Sequence, residues 1–165
     1  MSFSEIYERY ARDVHRYALY LSGDPALADD LTAETFVHAL CGSSKVRVDT
    51  VKAYLFAIAR NLFCDSLERR RRHVSLAKLP ETPDPATSAD RAAEQRQYLA
   101  FALKAIQKLP DLERDALALA LDDDLRYEQI AAILGCSVAA VKVRFHRARM
   151  HLRLELERQE KLWKK

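Results

Sequence analysis

The chain has 165 residues, 49% of them hydrophobic and 31% charged, with three Gly and five Pro. That composition excludes a collagenous or low-complexity chain and suits a soluble, mostly helical protein of one domain or two small ones. The net charge of +3 excludes a surface coated in positive charge, so a polyanion would have to meet cations concentrated locally.

Phe3, Ile6, Tyr7, Tyr10, Val14, Tyr17, Ala18 and Leu21 recur at helical spacing and predict a first helix with one apolar stripe, ending before Gly23. Asp24-Pro25 opens a second helix, Asp as the cap and Pro at its first position. Leu27, Leu31 and Leu40, with Phe36 or Val37, are its expected core face. Asp30 and Glu34, four apart with Asp29 beside them, share its exposed face.

Residues 41–50, CGSSKVRVDT, read as a polar loop, with Asp49 or Thr50 capping a third helix. Val51, Tyr54, Leu55, Ile58 and Leu62 form its expected buried stripe. Lys52, Phe56, Arg60 and Phe63 lie away from that stripe. Cations interleaved with aromatics suit single-stranded nucleic acid, although a second packing face is the better account of the two Phe. The helix ends in Arg69, Arg70, Arg71, Arg72 and His73, a run whose mutual repulsion invites a polyanion.

From Val74 to about Ala89 the periodicity dissolves into LPETPDPATSAD, which reads as a flexible linker. Helix resumes near Asp90, with Tyr98, Phe101, Leu103, Ile106 and Leu109 apolar, and Pro110 punctuates. The next helix carries Leu112, Ala116, Leu117, Leu119, Ala120 and Leu121, more apolar circumference than one core needs. Residues 127–149, YEQIAAILGCSVAAVKVRFHRAR, then give a short helix, a break at Gly135, a cap at Ser137 and a second helix. Val141, Phe145, Ala148 and Leu152 are that helix's buried stripe. Its opposite face carries cations, with no acid between Val138 and Leu154. This is the helix-turn-helix pattern, whose second helix enters the DNA major groove.

Cys41, Cys64 and Cys136 form no CxxC pair and have no His at zinc spacing, so they read as free thiols, with no metal or cofactor implied. His15, His38, His73, His146 and His151 show no paired nucleophile, so no enzyme is expected. No apolar run is long enough to insert in a membrane, and MSFSEIYERY lacks a signal-peptide core, so the expected location is cytoplasmic.

An all-α chain of two small helical domains, 1–73 and 90–165, joined by a linker at 74–89, with a C-terminal helix-turn-helix, resembles a bacterial RNA polymerase sigma factor of the extracytoplasmic-function class. Four segments carry the resemblance: ADDLTAETFVHAL, AYLFAIARNLFCDSLERRRR, LPDLERDALALAL and the helix-turn-helix itself. It implies an alternative sigma factor with two partners, RNA polymerase core and promoter DNA, and an anti-sigma factor is a third partner the linker would allow. Asp29, Asp30, Glu34 and Phe36 would meet the clamp of the polymerase's largest subunit. Leu117 and Leu121 would dock on the flap of the second-largest. Lys52, Arg60, Asn61, Asp65, Arg69 and Arg70 would serve the −10 element, Asn61 and Asp65 beside the loop that captures a flipped base. At the −35 element, Lys142, Val143, His146 and Arg147 match reading positions, with Arg144 and Arg149 near phosphates. Ser137, Ala139 and Ala140 begin that helix, where small residues allow close approach. The rival reading is a self-sufficient helix-turn-helix regulator, which would need DNA affinity of its own and usually a two-fold related operator.

Overall fold

A computed structural model describes residues 1–42, 49–73 and 91–164; the expected linker and most of the 41–50 loop lie outside the described residues. Among the described residues the fold is all-α. The N-terminal half holds α1 (Phe3–Ser22), α2 (Pro25–Leu40) and α3 (Val51–His73). The C-terminal half holds α4 (Arg91–Gln107), α5 (Asp111–Ala120), α6 (Tyr127–Leu134) and α7 (Val138–Trp163).

Local chemistry sets the helix ends. Ser2 and Glu5 form a reciprocal capping box at the start of α1. Gly23 ends α1 at φ 65°, returning its N–H to the Leu19 carbonyl at 2.8 Å. Asp24 accepts from the N–H groups of Ala26 and Leu27, with Pro25 at the first position of α2. At α3 the cap is Thr50, which accepts from Ala53 N–H at 3.2 Å. Asp49 instead reaches across to α6, as described below.

α3 is the central element, buried from Lys52 to Ala59 on nearly every side. One stripe of it faces α1 and α2; Phe56 and Phe63 form a second packing face, now buried. One core cluster therefore runs from Val14, Tyr17 and Leu21 through Leu55, Phe56 and Phe63 to Ala118, Leu119, Ile130, Ile133 and Val141. The two halves share this core. The excess apolar circumference expected on α5 is spent here, where Ala118 and Leu119 pack toward the N-terminal half. A smaller cluster of Ile106, Leu109, Leu117 and Ala148, with Tyr20 against it, closes the other side.

Several expected core positions lie outside it. Leu40 and Val37 are exposed on α2, and Phe36, next to Val37, takes the core position. Tyr98 and Leu112 are also exposed. Phe3 and Tyr7 are half-exposed because they cap Phe36 edge-on, with ring centroids 6.2 and 4.8 Å away.

Candidate nucleic-acid interface

The axes of α6 and α7 turn through 94° at Gly135, which takes φ 65°, and Cys136 N–H returns to the Ala131 carbonyl. That angle is the one a helix-turn-helix needs. Ser137 caps α7 by accepting from Ala140 N–H at 3.1 Å. Val141 and Ala148 are buried and Phe145 and Leu152 partly so, which fixes the rotation of α7. The rotation leaves Ala139, Lys142, Val143, His146, Arg147, Arg149 and Met150 exposed, with Ala140 and Arg144 half-buried. Val143 is 49% exposed, an apolar side chain on the outward face. Among the described residues no carboxylate pairs with Lys142, Arg144, His146, Arg147 or Arg149, so the field of the face stays positive. Lys142 lies over the Tyr127 ring and Arg149 over Phe145, which props both side chains.

On α2, Asp29, Asp30 and Glu34 are exposed on one face, and His15 reaches Asp29 at 2.9 Å. Phe36 does not belong to that face. It is 2% exposed, beneath Phe3 and Tyr7. Leu117, at 3% exposure, packs in the core of the C-terminal half, while Leu121 is exposed.

The expected −10 set divides into two on α3. Asn61, Asp65, Arg69 and Arg70 are exposed. Arg70 stands 3.8 Å from Asp24, a loose, solvent-facing pair. Lys52 and Arg60 point the other way, into the junction between the halves. Lys52 Nζ lies 2.9 Å from Asp13, 2.8 Å from Asp122 and 2.9 Å from Asp124, and the residue is only 8% exposed. Burial alone would lower its pKa; the hydrogen bonds to Asp122, Asp124 and Asp13 outweigh it and hold the ammonium firmly charged. Arg60 Nε donates to Asp115 at 2.7 Å, and Tyr17 Oη donates to the other Asp115 oxygen at 3.0 Å. Burial first, and Asp115 second, push the Tyr17 phenol well above its ordinary value. At the rim, Asp49 accepts from Arg126 and Gln129, both at 2.7 Å. Gln107 of α4 donates to the Tyr20 carbonyl at the end of α1.

The sequence alone gives Asp115, Asp122 and Asp124 no role. The signals were present as LDDDL, an acidic run just after α5, and as the over-wide apolar face of α5 itself. Neither names its partner, because the partners lie more than 50 residues away in sequence.

Such a chain, all-helical among the described residues and with no acid from Val138 to Leu154 of its recognition helix, is a helix-turn-helix protein. The sigma-70 region 2 family matches residues 6–73 and the sigma-70 region 4 family residues 102–152. The chain is 31% identical to the ECF RNA polymerase sigma factor SigM of Bacillus subtilis, covering 93% of this chain and 94% of that one. It is 37% identical to EcfG of Rhodopseudomonas palustris, over 82% of this chain and 75% of that one. To SigE of Mycolicibacterium smegmatis it is 35% identical over 92% of its own length, spanning 60% of that relative. Among solved structures, RpoE of Bartonella quintana in complex with the anti-sigma factor NepR superposes with a TM-score of 0.74 at 27% identity, covering 94% of this chain and 96% of that one. CnrH in complex with the cytosolic domain of CnrY gives 0.65 at 26% identity, over 94% and 87%. The chain belongs to the ECF RNA polymerase sigma factors of the sigma-70 family, and as such is an alternative sigma factor directing promoter-specific transcription.

Proposed function

We propose that the division of labour within this sigma factor follows its exposed faces. Residues 1–73 act as region 2 and 90–165 as region 4, with 74–89 joining them. The acidic face of α2, Asp29, Asp30 and Glu34, meets the polymerase clamp, and Leu121 contributes to contact with the flap. Asn61, Asp65, Arg69 and Arg70, joined by Lys52 and Arg60, serve the −10 element. On α7, Lys142, Val143, His146 and Arg147 face base edges while Arg144 and Arg149 meet phosphates. An anti-sigma factor is a further partner, a reading supported by the likeness to RpoE of Bartonella quintana, solved with the anti-sigma factor NepR. The work is done in the cytoplasm and needs no cofactor or reacting group. No single helix among the described residues is long and apolar enough to cross a membrane.

The observation that carries the reading is the exposed face of α7 from Val138 to Leu154, which holds cations and no acid, on a helix whose rotation its own core fixes. The rival, a self-sufficient regulator, predicts DNA binding without polymerase. A gel shift and a run-off assay with and without core separate the two: promoter binding and initiation should need core. Reversing Asp30 and Glu34 together to Lys should abolish core binding and leave the helical fold intact, since exposed charges add little to stability. Unchanged core affinity of that variant would refute the assignment of the α2 face.

A further inference from the structure

The outward face of α7 sets a branched apolar side chain one turn ahead of a guanidinium. Val141 and Ala148 are fully buried and fix the rotation of the helix. Val143, two residues after Val141, stands about 200° round the axis from it and is exposed. It is the sixth residue of α7, in the N-terminal part that a recognition helix lays against bases. Ala139 and Ala140 lie one turn earlier and have no atom beyond Cβ, so nothing on that turn holds the helix off the groove floor. Lys142 is drawn aside over the Tyr127 ring of α6, and Arg147 is exposed one turn after Val143.

Base edges offer a valine little. The major groove is lined with hydrogen-bond donors and acceptors, and its one apolar feature is the C5 methyl of thymine. A valine laid over a cytosine or adenine amino group displaces water and returns no hydrogen bond, which leaves a donor unsatisfied. Laid over the thymine methyl, it removes apolar surface from water on both partners. From this geometry we infer that Val143 selects thymine at one position of the −35 element by packing on its C5 methyl, with a G·C pair read by Arg147 beside it. The inference deepens the reading of α7 as the −35 helix and rests on it. Four residues of helix span about 6 Å, and bases stack about 3.4 Å apart. The guanine therefore lies one or two base pairs from the thymine. Arg147 reads it through paired bonds to O6 and N7, so the two side chains select by opposite chemistry. Val143→Ser lifts the restriction, because a hydroxyl both donates and accepts.

The test uses the full chain with RNA polymerase core and starts from random DNA. Holoenzyme selects duplexes from a pool randomised across both promoter elements, and the selected DNA is sequenced. The enriched upstream element should hold a thymine, on either strand, with a G·C pair one or two positions away. Each enriched thymine is then replaced singly by uracil, which removes the methyl and keeps every hydrogen-bonding group. Run-off transcription at limiting holoenzyme should fall about fourfold at one of them, the worth of one methyl group returned to water. In Val143→Ser the ratio of uracil to thymine template should approach one. Each protein is its own reference, so a general loss in the variant leaves the ratio readable, and the exposed position keeps the core intact. If the enriched upstream element holds no thymine, or wild type transcribes both templates equally at every thymine, the inference fails while the assignment of α7 stands. It fails as well if Val143→Ser keeps the wild-type ratio, since another residue then senses the methyl. If Arg147→Ala selects the same upstream element as wild type, or the wild-type holoenzyme selects none, the reading of α7 falls, and this inference with it.

Discussion

Burial decides what each carboxylate around Lys52 contributes. The Asp122 side chain is 5% exposed, and its Oδ2 is held between Lys52 at 2.8 Å and Arg16 at 3.5 Å. The Asp124 side chain is 80% exposed and makes the same contact to Lys52 at 2.9 Å. The Coulomb geometry is nearly equal, but the cost of losing it is not. Removing Asp122 takes from a buried ammonium its least screened partner and leaves it Asp13 and Asp124, a larger loss than that of an exposed pair though below the about 3–5 kcal/mol of a buried charge left unpaired. Removing Asp124 breaks a solvent-screened pair, which contributes little to stability. Asp122→Ala should therefore lower the urea midpoint several times further than Asp124→Ala. Equal shifts would mean that Lys52 is solvated in solution.

The two glycine caps separate what a helix end requires from what its neighbours require. Gly23 and Gly135 share φ 65°, where an L side chain costs about 1–2 kcal/mol. A Cβ at Gly135 meets nothing within 4 Å, whereas one at Gly23 would stand 2.6 Å from Cγ of Gln107. Gly135→Ala should cost about the backbone strain alone. Gly23→Ala should cost more, because it also displaces the side chain that ties α4 to Tyr20. Combining it with Gln107→Ala should cancel the excess, and denaturant unfolding of the four variants reads this directly. The same contrast explains what the sequence made legible. Gly23, Asp24-Pro25, Gly135 and Ser137 act within one helical turn, so their meaning is local and their elements stand where spacing placed them. The α7 face was equally readable, because four stripe positions fix its rotation. Phe36 against Val37 was not, since adjacent residues differ by one step around the helix and the Phe3–Tyr7 cap that selects Phe36 belongs to another helix. For Lys52 and Arg60, type and position were evident, but their direction depended on the Asp122 and Asp115 side chains, which no periodicity connects to them.

For the molecule as a unit, Tyr17 is the group that reports the junction. It belongs to α1, stacks on Phe56 of α3 at 4.9 Å between ring centroids, and donates to Asp115 of α5. Its phenol is raised by burial and then by Asp115, against the opposing charge of Arg60 and with a minor contribution from Cys64. The sign follows: the folded chain favours the neutral phenol, so this contribution is complete below the unfolded value of about 10. It declines as pH rises above that value toward the raised folded one. Thermal stability should fall above about pH 10, and less steeply in Tyr17→Phe, with the radius of gyration from small-angle scattering increasing in parallel in the wild type. Identical alkaline slopes for the two proteins would assign the loss to other groups.

The shared core also has an order in time. Residues 14–63 supply one side of it and residues 118–141 the other. A ribosome delivers the first side before the second exists. At roughly 5–20 residues per second, the 54 residues between Phe63 and Ala118 take about 3–11 s to emerge. During that interval α1–α3 can already be folded while Tyr17 and Phe56 lack their cover and Lys52 lacks two of its three carboxylates. The nascent chain is thus at its stickiest, toward apolar surfaces and toward nucleic acid alike, while it is still tethered to a ribosome made largely of RNA.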